Sequence, residues 1–250
     1  MNKPLLSIIT VTYNAEKLLE GTILSVIGQE IKRDYEFILI DGKSTDRTLE
    51  IAKKYANHFA LIHSEKDAGI YDAMNKGIQF STGQYLLFLN AGDHLNEDVL
   101  AEILDKLKTS PDVLYSDTIN VNAQYLEIGL RSIVGPHALP KKLSWKDYQK
   151  GMVVCHQSFI SKKDLSPKFD LTFRLSSDQD WCIKVLKNSK NIQLLNKPIS
   201  KYLIEGISTK YWKQSLSERF WIYVKHFGFF TTLFNHFIIG LRHFSRKFKM

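Results

Sequence analysis

The run Tyr85-Leu86-Leu87-Phe88-Leu89 closes on Asn90-Ala91-Gly92-Asp93. Five apolar or aromatic residues in succession read as a strand buried on both faces, which belongs in a parallel sheet covered on each side. A carboxylate at the C-terminal end of such a strand stands where open α/β sheets bind ligands. Asp93 is therefore a candidate for a metal or phosphate-side role. The alternative is a turn Asp that bonds its own backbone.

The rest of the chain supplies partners for that strand. Leu6 to Tyr13 is β-branched and apolar and reads as strand one. Asn14 breaks it and can cap the helix after it. Apolar residues at helical spacing then predict that helix from Ala15 to about Gln29. Glu36 to Ile40 is a second strand, ending on Asp41-Gly42. Ser44-Thr45-Asp46 begins a second helix, with a cap and an acidic first turn. Ala60 to His63 is a third strand, Asp72 to Phe80 a helix, Asp98 to Leu107 a helix, and Val113 to Tyr115 a fifth strand. This alternation predicts an α/β fold with a mostly parallel, doubly wound sheet and helices on both faces.

Beyond it, residues 120–149 read as a β-hairpin and a loop, and Val153 to Ile160 as a strand. Asp178 to Leu186 is predicted helical, and Ile192 to Leu195 and Ser200 to Leu203 are final strands. From Trp212 to the end the pattern is helical and amphipathic. The expected organisation is a catalytic domain over 1–209, with halves at 1–110 and 111–209, and a basic aromatic tail over 210–250.

In a parallel sheet, the ends carrying Thr12-Tyr13-Asn14, Asp41-Gly42, Asp67-Ala68-Gly69 and Asn90 to Asp93 share one edge. Three carboxylates there would repel one another. A hard cation such as Mg²⁺ or Mn²⁺, bringing substrate phosphates with it, would relieve that. Gly-x-Gly-x-x-Gly after strand one and Gly-x-x-x-x-Gly-Lys-Ser/Thr are both absent. That argues against a dinucleotide fingerprint and a P-loop. A nucleotide bound here needs its diphosphate neutralised by metal or side chains. Asp41 could accept from a base N–H, and Tyr13 could stack on that base.

Four runs carry a family resemblance: Ser7 to Asn14, Asp41 to Thr48, Glu65 to Ile78, and Gly83 to Tyr85 continuing into Phe88 to Asp93. In this order they resemble a family 2 glycosyltransferase of the GT-A type, over roughly residues 4 to 110. The resemblance implies inverting transfer from a nucleoside diphosphate sugar, with Mn²⁺ or Mg²⁺. It sets Thr12, Tyr13, Asn14 and Asp41 on the nucleoside side. It sets Asp67, Gly69 and Asn75 toward the ribose, diphosphate or sugar, and makes Asp93 a metal ligand. The family commonly has Asp where this chain has Asn90 and Gly92, so the metal site keeps one carboxylate. The family's general base matches Asp178 in Ser176-Ser177-Asp178-Gln179-Asp180-Trp181, with Ser177 where Glu is usual. Asp180 is the competitor, on another side of the helix. Both acids also suit a helix first turn through the dipole. His156-Gln157 could line the acceptor site, assist the diphosphate, or be a hydrogen-bonded pair in a half-buried strand. Glu205 to Ser208 could close over the donor or merely connect.

Charge bears on partners. The net +8 is concentrated from Lys210 onward, where eight Lys/Arg face one Glu. The first 209 residues are near neutral, so a nucleic-acid partner is not expected. The aromatic, basic tail suits the interface of an anionic membrane, and a lipid-linked acceptor would explain it. Packing on the catalytic domain or on a second subunit of a homo-oligomer is the other reading. Cys155 and Cys182 form no metal-type pair and no disulfide framework. With no recognisable signal peptide, the expected location is cytoplasmic, peripheral at the inner face of the cell membrane. Two rivals remain: a non-catalytic nucleotide-sugar-binding module at the membrane, and a sugar-1-phosphate nucleotidyltransferase. The second generally needs a Gly-rich N-terminal loop, which Thr10 to Asn14 is not.

Overall fold

The computed structural model describes residues 3–31, 33–204 and 211–237. All seven residues of β1 (Leu6–Thr12) are buried, so its alternating side chains feed two cores. Ile9 and Val11 join Met74, Phe88 and Trp181 on one face of the sheet; Leu6 and Ile8 join Leu19, Ile23 and Ile103 on the other.

The remaining elements in chain order are α1 (Leu19–Ile27), β2 (Tyr35–Asp41), α2 (Thr48–Lys54), β3 (Leu61–Ser64), α3 (Ile70–Phe80), β4 (Tyr85–Phe88) and β5 (His94–Leu95). Next come α4 (Leu100–Leu107), β6 (Val113–Tyr115), β7 (Thr118–Val121), β8 (Glu127–Leu130), α5 (Arg131–Val134) and β9 (Phe159–Lys162). Last are α6 (Ser177–Asn188), β10 (Ile192–Leu194), β11 (Ser200–Leu203) and α7 (Trp212–Phe227).

The main sheet runs β10-β6-β9-β4-β1-β2-β3, and only β9 is antiparallel to its neighbours. The strand order reverses at β1, between β2 and β4, so the crevice beyond the C-terminal ends of β1 and β4 is the ligand position this topology favours. A second sheet, β5-β11-β7-β8, stands beside it and begins immediately after Asp93.

Several boundaries differ from expectation for identifiable reasons. Helix one starts at Leu19, not Ala15. The preceding amides are taken across the crevice edge: Asn14 N–H donates to Ser44 Oγ, Ala15 N–H to Thr48 Oγ1 and Glu16 N–H to Asp46. Asn14 is thus a tie between two loops and not a helix cap; its Oδ1 accepts Thr45 N–H. Ser44 likewise caps nothing, because Asp41 holds it. The predicted hairpin is β7–β8, and most of the remainder of 120–149 is irregular. The predicted strand from Val153 begins only at Phe159; residues His156–Ser158 form a 3₁₀ turn. The tail helix breaks at Gly228, whose φ of 84° is a left-handed conformation glycine adopts freely. Residues 229–237 are helical again. Among the described residues no helix is long and apolar enough to cross a membrane. The Glu205 to Ser208 loop and the boundary at 209 lie outside the described residues.

Candidate active site

The donor-side residues gather at the ends of β1, β2 and β3. Asp41 is fully buried and satisfied within the chain: Ser44 Oγ donates to Oδ1 at 2.5 Å, and Ser64 Oγ and Ser44 N–H donate to Oδ2 at 2.6 and 3.0 Å. Tyr13, by contrast, is 62% exposed, so its ring is free to meet a ligand. Thr12 Oγ1 is buried with no partner. Asp67 faces Gly42: a Cβ there would run into its carboxylate and crowd the Tyr13 ring. Burial pushes Asp67 up, and nearby Asp72 and Asp41 add to this, while the Gly69 N–H bond and Lys76 oppose it. Gly69 starts α3 with φ 123°, a conformation that L side chains rarely adopt. Asn75 is used differently from expectation. Its amide clamps one backbone unit, accepting Phe169 N–H at 2.7 Å and donating to Phe169 O at 3.1 Å.

The three carboxylates do not converge as a set. Asp41 and Asp67 feel one another, but Asp93 sits at the seam between the two sheets. It is only 5% exposed, receiving Gln157 Nε2 at 2.8 Å and Leu203 N–H at 3.2 Å. Burial pushes its carboxyl up to about 6, against those two bonds. The turn before it is fastened from both sides: Gly92 N–H donates to Thr22 Oγ1, and Tyr125 Oη donates to Gly92 O.

That arrangement bears on metal binding. Asp93 is a hard oxygen donor whose carboxyl is raised by burial. Gly92 has no side chain, and the Asn90 amide is turned toward His156. Among the described residues no three His, Cys, Asp or Glu stand together to hold a metal ion. The residues could hold at most a cation that arrives with a diphosphate and takes its other ligands from phosphate and water, as Mg²⁺ commonly does, because Asp93 is 5% exposed and both its oxygens already accept from the chain. They do not form an all-protein cage.

Asp178 lies in the first turn of α6 with its side chain 13% exposed. Tyr71 Oη donates to its Oδ1 at 3.1 Å, and His156 Nδ1 lies 3.0 Å from Oδ2. The His156 Nε2 is 3.2 Å from Asn90 Nδ2, at the end of β4. One dipeptide thus serves both acids: His156 reaches Asp178 and Gln157 reaches Asp93. Asp180, the sequence competitor, points away toward α7, pairing with His226 of that helix at 2.7 Å and with Lys184 of its own helix at 2.5 Å. Sequence reasoning had no role for Tyr71, although it lies inside a matched run. Gln157 was singled out with His156 for the acceptor site, the diphosphate or a half-buried strand, but not for its bond to Asp93.

A family model described as Glycosyl transferase family 2 matches residues 7–166. A PGL/p-HBAD biosynthesis glycosyltransferase of Mycobacterium bovis BCG is 32% identical over 197 residues, 75% of this chain and 72% of the relative. TuaG of Bacillus subtilis, described as a putative teichuronic acid biosynthesis glycosyltransferase, is 26% identical over 84% of each chain. Among solved structures, S. aureus TarS in complex with UDP-GlcNAc superposes with a TM-score of 0.65 at 21% identity, over 80% of this chain and 59% of that one. The mannosyltransferase PcManGT from Pyrobaculum calidifontis, in complex with GDP-Man and Mn²⁺, gives 0.64 at 16% identity, over 90% of this chain and 65% of that one. This chain spans less than two thirds of either solved chain, and at these identities the likeness is one of fold.

Proposed function

Because the chain belongs to glycosyl transferase family 2 and has the GT-A fold, we propose that it is an inverting, hexosyltransferase-type enzyme. It moves a sugar from a nucleoside diphosphate sugar to a glycan or lipid-linked acceptor. The observation that carries this reading is the placement of Asp178. It is a partly exposed carboxylate, held on both oxygens, and linked through His156 to the β4 end at the switch-point crevice. Asp178 lies beyond the residues the family model matches, so its assignment rests on the motif resemblance and on that geometry.

The chemistry follows from this reading. Asp178 takes the proton of the acceptor hydroxyl as its oxygen attacks the anomeric carbon. A new C–O bond forms on one face while the bond to the diphosphate breaks on the other, and the leaving oxygen keeps the electron pair. Configuration inverts because attack and departure are on opposite faces. Tyr13 and Asp41 flank the nucleoside, with Thr12 and Asn14 beside them. Asp67 and the Gly69 turn border the ribose and diphosphate. Asn75 supports this side through Phe169. Mn²⁺ or Mg²⁺ held by Asp93 would offset charge on the leaving diphosphate. The basic, aromatic tail suits a peripheral position on an anionic membrane, beside a lipid-linked acceptor.

Two measurements test this. Thermal shifts with UDP-, GDP- and dTDP-sugars, with and without Mn²⁺, are expected to show stabilisation by one nucleotide class, weakened by EDTA or Asp93→Ala. Asp178→Asn is expected to bind donor normally and transfer no sugar. Normal turnover by that variant would refute the base assignment.

A further inference from the structure

Two groups at the site have no role in the transfer itself: the His156 imidazole and the Asn90 amide. Both are in the interior. His156 has a side chain 10% exposed, and its two ring nitrogens are each engaged. An ionised carboxylate only accepts, so Nδ1, facing Asp178 Oδ2, carries the proton. An amide nitrogen only donates, so Nε2, facing Asn90 Nδ2, keeps its lone pair. The result is a neutral imidazole of one tautomer, set by Asn90 and aimed at Asp178. His156 cannot itself serve as the base, because its basic nitrogen is already covered.

We infer that Asn90 and His156 are positioning residues for Asp178, and that this inference rests on Asp178 being the base. The chain Asn90–His156–Asp178 ties the carboxylate to the end of β4, and Tyr71 holds its other oxygen. With both oxygens held, the carboxylate is confined to one rotamer. An Asp at position 90 would put a second carboxylate on the same imidazole. An acceptor facing Nε2 no longer fixes the tautomer that presents Nδ1–H to Asp178.

The two ring nitrogens allow a sharp test, because short amides can replace them one at a time. In His156→Asn the amide nitrogen falls near the former Nδ1 and can still donate to Asp178. In His156→Gln the longer amide reaches toward the former Nε2 and leaves Asp178 Oδ2 without its donor. The expected outcome is that His156→Asn keeps kcat within about threefold of the parent enzyme. His156→Gln and Asn90→Asp lose about 10- to 100-fold in kcat, the usual range for groups that orient a catalytic ligand. The KM for donor is expected to change less than about threefold in all of them. Melting temperatures would show that each variant is folded. Equal losses in His156→Asn and His156→Gln would overturn the inference. So would a loss that appears in KM instead of kcat, or an Asn90→Asp variant that is faster than the parent. Asp178→Asn, assayed alongside, separates the two failures. Activity in that variant overturns the base reading and this inference with it. An inactive Asp178→Asn beside an unimpaired His156→Gln overturns this inference alone.

Discussion

Gly92 holds its backbone at φ 104°, and its two hydrogen bonds fix the turn that carries Asp93. A side chain there meets no severe clash, since the nearest atom to an added Cβ is Leu18 Cδ1 at 3.4 Å. The cost of Gly92→Ala is therefore strain in the left-handed region, about 1–3 kcal/mol. The urea midpoint is expected to fall accordingly, with a rise in donor KM as Asp93 shifts; an unchanged midpoint would show that the turn relaxes without cost. This scale also shows what the chain could reveal before it was folded. Asp93 was visible because a strand end is a local feature of sequence; Asp178 was separated from Asp180 by the family resemblance, since both acids suit a first helical turn. The partners of Tyr71 and Gln157 were not visible, because they lie 107 and 64 residues away. The engagement of Asn75 with Phe169, 94 residues off, was hidden for the same reason.

At the scale of elements, the joint between α6 and α7 sets how the base-bearing helix is held. Gln179 accepts Tyr223 Oη at 2.6 Å, Ser176 meets Ser215, and Glu218 takes the amides of Arg174 and Leu175. Asp180, with no exposed side-chain surface, binds His226, Lys184 and Lys225. Burial alone would raise its carboxyl, but the bonds from His226 and Lys184 and the charges of Lys184 and Lys225 outweigh it and hold it at about 2, against an ordinary 3.8. A carboxyl depressed by folding adds stability above its unfolded value, and that contribution is lost as pH falls through the folded one. The loss, about 2 kcal/mol, should fall between roughly pH 4 and pH 2. Asp180→Ala is expected to destabilise by about 1–3 kcal/mol near neutrality, because it leaves the buried His226 and the half-exposed Lys184 and Lys225 without their shared acceptor. It should also have a shallower acid dependence than the parent; parallel acid curves for the two proteins would count against the linkage. The strands were legible because buried apolar runs have few alternative folds. The stretch from Val153 misled because His156, Gln157 and Ser158 are buried for their polar bonds, so apolar composition did not signal a ladder.

Taken as a whole, the molecule is asymmetric in both charge and surface. α7 turns Ile222 and Tyr223 into the core, which meets the packing reading of the tail for that helix. The helical residues after Gly228 turn aromatic groups outward: Phe230 is 84% exposed, and Phe234, Phe237 and Leu233 are exposed beside it. Beyond them the sequence continues with Arg242, Arg246, Lys247 and Lys249. Large apolar groups exposed side by side need a cover. A basic flank favours an anionic lipid surface over a neutral one, by about 1 kcal/mol for each cation near the surface. The full chain is therefore expected to sediment with vesicles containing anionic phospholipid and not with phosphatidylcholine alone. Binding should weaken at high salt, as screening reduces the electrostatic part. Each Phe that enters the interface contributes about 1.5–3 kcal/mol at most. The combined change of Phe230, Phe234 and Phe237 to Ser should therefore lower vesicle affinity by tenfold or more while leaving donor binding unchanged. Sedimentation velocity of the same pair of proteins decides against a protein cover. If the parent is a dimer and the triple variant a monomer, a second subunit occupies this surface and the membrane reading fails. A parent that stays monomeric and still binds only anionic vesicles leaves the lipid as the partner of this face.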